Sequence, residues 1–267
     1  MRSRSWGGHF RETLHVAPFR LVSLAGGKSW NAIPREATAV CSVSPDREGA
    51  FRAALDAAAG TIGNGYARID PDLVITVATT SGAADAWTEK GAAELLDLVA
   101  VIPSGPLAMS SDFEGLVETS SSLGEAVTEG ERLTLHSLSR SSNSHTLPDV
   151  MATLDADARL VGGRLEVGQS DPGWSPDLGS PALAACQRVF RRLFDEAPVV
   201  TAVHAWLETA VIGDRIPGLD MVSIGPQIEG PHSPDERVCI ATVGRFWSLL
   251  TGVVDELSTV GIAVTTH

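Results

Sequence analysis

The stretch Asp171-Pro172-Gly173-Trp174-Ser175-Pro176-Asp177 limits every fold open to this chain. Each proline lacks a backbone donor and fixes its own φ, so neither a helix nor an interior strand runs through the segment. Gly173 adds a point of free turning between them. A chain of 267 residues with such a break folds as two pieces, each long enough to bury its own core. The expected boundary leaves residues 1–168 in the first piece and 169–267 in the second.

In the first piece, strand and helix signals alternate without a parallel-sheet rhythm. Residues 19–24 and 37–43 read as strands, the first closed by the Gly26-Gly27 turn. Ser44 and Pro45 suit an N-cap and a first helical position, and the Ala-rich run behind them reads as a helix ending near Gly60. Residues 73–78 form a β-branched strand candidate, and 87–101 a helix stopped by Pro103 and Gly105. Strands follow at 116–119 and 133–140; in the second, Thr134, His136, Leu138 and Arg140 share one face. A helix over 147–160 and a strand over 164–167 complete an α+β order.

In the second piece, Ser180 caps a helix that has Pro181 at its first position, with Leu183, Cys186, Phe190 and Leu193 as its apolar stripe. Residues 199–203 and 221–224 read as short buried strands. The last helix carries Ile240, Val243, Trp247, Leu250, Val254 and Leu257 at 3,4 spacing, which predicts that this face is buried.

Composition removes several function classes. A net charge of −13 offers no basic footprint for a nucleic-acid backbone. No run approaches the roughly 20 apolar residues of a membrane span. His9, Arg11, Glu12 and His15 interrupt any leader-like stretch after the basic start. Three cysteines (Cys41, Cys186 and Cys239) without C-x-x-C spacing suit reduced core thiols in a cytoplasmic protein. Gly27-Lys28-Ser29 lacks the earlier glycine of a phosphate loop, since Val22 stands there. Neither G-x-G-x-x-G before a helix, nor G-x-S-x-G, nor H-E-x-x-H occurs.

What remains is the loop from Gly225 to Glu236, with His232 at its centre between Pro231 and Pro234. An imidazole nitrogen suits zinc, and nearby carboxylates can orient the ring. The residues alone leave two readings open: a metal ligand, or a surface or hydrogen-bonding histidine.

Further segments stand in a definite order along the chain. They are Asn31-Ala32-Ile33-Pro34-Arg35-Glu36-Ala37, Val117-Glu118-Thr119-Ser120, the run from His136 to Arg140, the Pro-Gly-Trp connector, His204-Ala205-Trp206-Leu207-Glu208 and Ile216-Pro217-Gly218-Leu219-Asp220-Met221. Together with the His232 loop, this set resembles the closing half of the cytosolic nonspecific dipeptidases, or aminoacyl-histidine dipeptidases. That family lies within the superfamily of two-zinc aminopeptidases, carboxypeptidases and aminoacylases.

The resemblance implies a combined α/β and α+β fold. Residues 1–168 are expected to form a lid domain of mixed sheet and helices, with a dimerisation role and incomplete at its start. Residues 169–267 are expected to form the C-terminal segment of a metallopeptidase catalytic domain. It further implies that His232 is a zinc ligand, that Arg140 holds the substrate's terminal carboxylate, and that Asn31 holds the reacting carbonyl. A guanidinium fork and an amide donor suit those tasks. The implied partners are a dipeptide substrate, a second copy of the chain, and a missing N-terminal half. That half supplies the other ligands of two zinc ions and the general base. Such a chain is expected to be cytoplasmic and inactive alone, as a partial or split copy; the alternative is a non-catalytic remnant or dimerisation module. Trp206 and Thr209-Ala210 depart from the family pattern, which has glycine and Cys-Gly there, and an indole at 206 would crowd the pocket.

Overall fold

The structure is a computed structural model that describes residues 18–80, 82, 85–143, 145–168, 170–204, 207–231 and 235–259. It divides into two compact units, Met1–Gln169 and Ser170–His267.

The first unit is built on one antiparallel sheet. Strand β1 (Arg20–Gly26) pairs with β2 (Ala37–Ser42), and β3 (Gly105–Met109) pairs with the long β4 (Val117–Glu129). A tight turn at Gly130, φ +58°, returns β4 into β5 (Arg132–Ser141). β4 takes β5 along one edge, and it also pairs with both β3 and β1, the latter through Gly26 opposite Ala126. Helix α1 (Glu48–Tyr66) and α2 (Glu89–Val101) bury Phe51, Ala92 and Leu96 against Phe19 and Leu21. Helix α3 (Leu147–Leu160) adds Val150 and Leu154 to a second cluster with Ile102, Leu123 and Leu135.

Strand alternation then separates two faces of β5. Leu135 packs toward the helices, and Ser139 and Ser141 bond the hydroxyls of Ser121 and Thr119, two buried residues of β4. His136 and Arg140 stand on the other face, exposed.

Three expectations fail in this unit, and one strand stands where none was expected. Residues 73–78 join no ladder; Arg52 of α1 instead donates to the Val77 carbonyl and the Thr79 hydroxyl. Residues 164–167 are not a strand either, although Leu165 packs beside α3. β-branched content marks a residue that suits a sheet, but a neighbouring strand must also be at hand. Helix α1 does not end near Gly60. It continues to Tyr66 and buries Ile62 on its last turns, which offsets the roughly 1 kcal/mol that each interior glycine costs. β3, which opens on Gly105-Pro106, carried no recognised strand signal.

In the second unit, α4 (Pro181–Phe194) packs on the final helix, α6 (Ile240–Thr259). Cys186 and Val189 meet Leu249 and Val253, with Phe190, Phe194, Val222 and Ile224 around them. Glu256 accepts from Arg188 at 2.8 Å and Arg192 at 3.1 Å, so one α6 carboxylate ties two successive turns of α4. Those guanidinium bonds hold its carboxyl below the usual range. Arg245 pairs with Glu196 and lies over the Phe194 ring. Helix α5 (Glu208–Arg215) and a short hairpin, β6 (Ile228–Glu229) and β7 (Arg237–Val238), complete the unit.

Here the stripe predicted to be buried on α6 lies largely on the opposite side. Ile240 is 83%, Trp247 63% and Val254 58% exposed, while Leu249 and Val253 are buried. Residues 199–203 and 221–224 form no ladder, and Val199 is 91% exposed. The thiols are also not all internal. Cys186 is buried and Cys41 partly so, its pKa pushed up to about 11 by burial, but Cys239 is exposed.

The helix pair is close enough to need a glycine. A Cβ on Gly252 would stand 2.9 Å from Val189 Cγ1, whereas one on Gly244 meets nothing. Gly252→Leu is therefore expected to destabilise the protein by about 1–3 kcal/mol through overpacking. Gly244→Ala is expected to stabilise it by up to about 1 kcal/mol through helix propensity. Urea unfolding monitored by circular dichroism separates the two.

Candidate functional site

Two of the three residues singled out in the sequence lie in the first unit, and β4 supports both. Arg140 is paired across the sheet with Ser120. Its guanidinium has no hydrogen-bond or ion-pair partner among the described residues and is available to an anion. Behind it, Ser141, Thr119 and Thr146 form a triangle of hydroxyl contacts of 2.7 to 3.0 Å. That triangle joins the end of β5 to β4 and to the start of α3. Thr119 and Ser141 are buried and Thr146 partly so, and all three hydroxyls are satisfied, so the backbone beneath Arg140 is held in register.

Asn31 sits in the loop that follows β1, and this loop is seated on a defect in β4. The β4–β5 register slips between Leu123 and Glu125, leaving Gly124 as a bulge residue without a partner on β5. A Cβ on Gly124 would stand 2.3 Å from the Trp30 carbonyl oxygen and 3.0 Å from that of Ser29. Gly27, at φ +73°, comes equally near, its Cβ position being 2.0 Å from the Gly124 carbonyl oxygen. Both glycines are required by the close passage of two backbones. Within the loop the Ser29 hydroxyl donates to Asn31 Oδ1, so the amide N–H groups are left for another acceptor. Gly124 and Ser120 are four residues apart on β4, so the two supports lie about 13 Å apart along the strand. Glu125 and His136 form a neighbouring cross-strand pair at 3.9 Å.

In the second unit the β6–β7 hairpin frames the loop that contains His232. Arg237 bonds Glu229 across the hairpin at 2.7 Å. Thr242 Oγ1, in the first turn of α6, accepts from the Gln227 N–H at 3.0 Å and donates to the Cys239 carbonyl at 2.7 Å. The base of the loop is thereby fixed to the helix. His232 itself lies outside the described residues, as does Trp206. Among the described residues no group of three or more His, Cys, Asp or Glu is placed to hold a metal ion. Those residues do not make up a zinc centre by themselves.

One conspicuous motif has a structural role. Asp220, from the Ile-Pro-Gly-Leu-Asp-Met run, accepts from the Ser180 hydroxyl at 2.5 Å and the Ala182 N–H at 2.7 Å. It therefore neutralises donors at the N-terminus of α4 beside the Ser180 cap. Sequence reasoning missed Gly124 and Ser29. A glycine inside a long alternating strand was the available signal for the first, because such glycines mark bulges and close approaches.

No protein-family model matches the chain. It is 33% identical over 254 residues to the cytosol non-specific dipeptidase of Escherichia coli (strain K12), covering 95% of this chain and 52% of that protein. Its fold is similar to the crystal structure of aminoacylhistidine dipeptidase from Vibrio alginolyticus, with a TM-score of 0.86 and 28% identity. That match also covers 95% of this chain and 52% of the other. The chain spans about half the length of the relatives it matches.

Thr242→Val is expected to release the loop base while leaving the helix pair intact. Losing two hydrogen bonds at a partly solvated site should cost about 1 kcal/mol. Hydrogen exchange should quicken over residues 227–238 and stay unchanged over 245–257.

Proposed function

We propose, from a resemblance to the cytosol non-specific dipeptidases that runs through nearly the whole chain, that this protein takes part in zinc-dependent hydrolysis of dipeptides such as Xaa-His. The observation that carries this reading is the 33% identity sustained over 254 residues, accompanied by a fold match at a TM-score of 0.86. In this reading the first unit is a lid. Arg140 pairs the terminal carboxylate of the substrate, and Asn31 donates its amide hydrogens to the scissile carbonyl. Those roles agree with an exposed guanidinium on a strand held in register and an amide whose oxygen is already occupied. His232 serves as one zinc ligand, in a loop stiffened by Pro231 and Pro234.

In this reading the remaining ligands and the general base come from a catalytic segment outside the matched half. The exposed apolar side of α6 supports this, since a helix that is apolar on two sides suits a position between two layers. No described helix is long and apolar enough to cross a membrane, and a cytoplasmic location follows the relative's.

The expected behaviour is that the purified chain, with zinc added, shows no turnover of alanyl-histidine. Co-expression with the portion of the E. coli dipeptidase that the match leaves uncovered should give a zinc-containing complex that hydrolyses it. In that complex His232→Ala should cut zinc affinity at least 10-fold, the scale on which even groups behind the ligands act. Arg140→Ala should keep the zinc and raise KM. Turnover by the isolated chain at ordinary enzymatic rates, about 1–10³ s⁻¹, would refute the partial-copy reading. Full zinc content and activity in His232→Ala would refute the ligand assignment.

A further inference from the structure

We infer that Gly124 and Ser29 are positioning residues for Asn31: the bulge at Gly124 seats the loop, and the Ser29 hydroxyl sets which side of the Asn31 amide faces outward. The inference rests on the reading of Asn31 as the group that meets the substrate's peptide carbonyl.

The seat is steric. The Trp30 carbonyl occupies the place where any side chain at 124 would begin, 2.3 Å from a Cβ, with the Trp30 carbonyl carbon at 2.7 Å. Both atoms are backbone, so a methyl group there cannot be accommodated by a rotamer change. The loop itself must lift. Gly27 brings the chain out of β1 against the Gly124 carbonyl in a left-handed conformation that only glycine adopts freely. The single β1–β4 ladder pair, Gly26 with Ala126, lies immediately before this crossing. Thr128 Oγ1 fastens the same strand further back, donating to the Leu24 carbonyl at 2.8 Å and accepting from the Leu24 N–H at 2.9 Å. β1 is therefore anchored, and the height of the Asn31 loop above β4 depends on the absence of a side chain at 124.

Orientation is a separate matter. An asparagine amide presents an acceptor on one side and two donors on the other. With the Ser29 hydroxyl donating to Oδ1, the nitrogen stands on the side of the amide away from that hydroxyl. A carbonyl oxygen of a peptide substrate needs a donor, and this arrangement supplies one without reorganisation.

The test compares two probes on the intact chain by calorimetry: alanyl-histidine, which has a peptide carbonyl, and histidine, which keeps the carboxylate and lacks that carbonyl. Asn31→Ala should weaken alanyl-histidine roughly 3- to 10-fold, the worth of one hydrogen bond, and leave histidine unchanged. Gly124→Ala should reproduce that selective loss, and the double variant with Asn31→Ala should lose nothing further. Ser29→Ala should give a smaller loss of the same kind. Gly63→Ala, at an open position in α1, should change neither probe.

Hydrogen exchange over residues 27–31 should quicken in Gly124→Ala and not in Ser29→Ala. Unchanged exchange there overturns the seating. Losses that add in the double variant, or that strike histidine equally, overturn the positioning role. If the unaltered chain binds alanyl-histidine no better than histidine, the functional reading of Asn31 fails, and the positioning role falls with it while exchange still decides the seat. Should Gly124→Ala fail to fold, Ser29→Ala decides: no selective loss overturns the orientation.

Discussion

Strand β4 is the constraint on which the first unit depends. It is the one strand hydrogen-bonded to β1, β3 and β5, and it carries polar, buried side chains where a core strand would usually be apolar. Thr119 and Ser121 are tolerated because each finds a hydroxyl partner on β5 within 3.0 Å. An unpaired buried hydroxyl would cost roughly 1–3 kcal/mol, so this region holds together only in its present register. A one-residue slip would turn Arg140 inward and Ser141 outward. The same strand breaks its own ladder at Gly124, and that irregularity admits the Asn31 loop. A regular, fully paired β4 would support Arg140 and leave no seat for Asn31.

The second unit obeys a different rule. It has no large sheet among the described residues, and its stability rests on the contact between α4 and α6. Gly252 lets the helices approach, and Glu256 binds two arginines of α4 on the flank of that contact. Charged pairs at a solvated flank contribute modestly, so the apolar contact supplies most of the attraction. The far side of α6 remains apolar and exposed at Ile240, Trp247 and Val254. Isolated exposed apolar residues are ordinary, but a row of them along one helix marks a surface that suits a neighbour.

Much of this was legible in the sequence, for reasons that can be stated residue by residue. The Ser180-Pro181 start of α4 was readable because a capping hydroxyl and a proline act locally, and Ser180 does accept from the Leu183 N–H. The helix expected over 147–160 has those limits as α3, and the structure shows Pro148 in its first turn and Gly162, at φ +71°, just past its end. Arg140's side of β5 followed from period two. The burial of α6 was misjudged because its sequence is apolar on two sides, and periodicity does not say which side has a partner. Residues 73–78 and 221–224 were misjudged because strand propensity contains no information about whether a neighbour is free to pair. The loop seat was invisible for a deeper reason: it joins Gly27 to Gly124 across the chain, and no local pattern encodes that meeting. His232 was reached through its motif alone and lies outside the described residues.

The central claim is that the first unit offers one end of a dipeptide a guanidinium and the reacting carbonyl an amide donor. A crystal structure of the protein soaked with alanyl-histidine tests it directly. The account predicts the terminal carboxylate on the Arg140 guanidinium and the peptide carbonyl oxygen within hydrogen-bond distance of Asn31 Nδ2, with the Ser29 bond to Oδ1 retained. A dipeptide bound elsewhere, or bound here with its carboxylate away from Arg140 and its carbonyl away from Asn31, would contradict it.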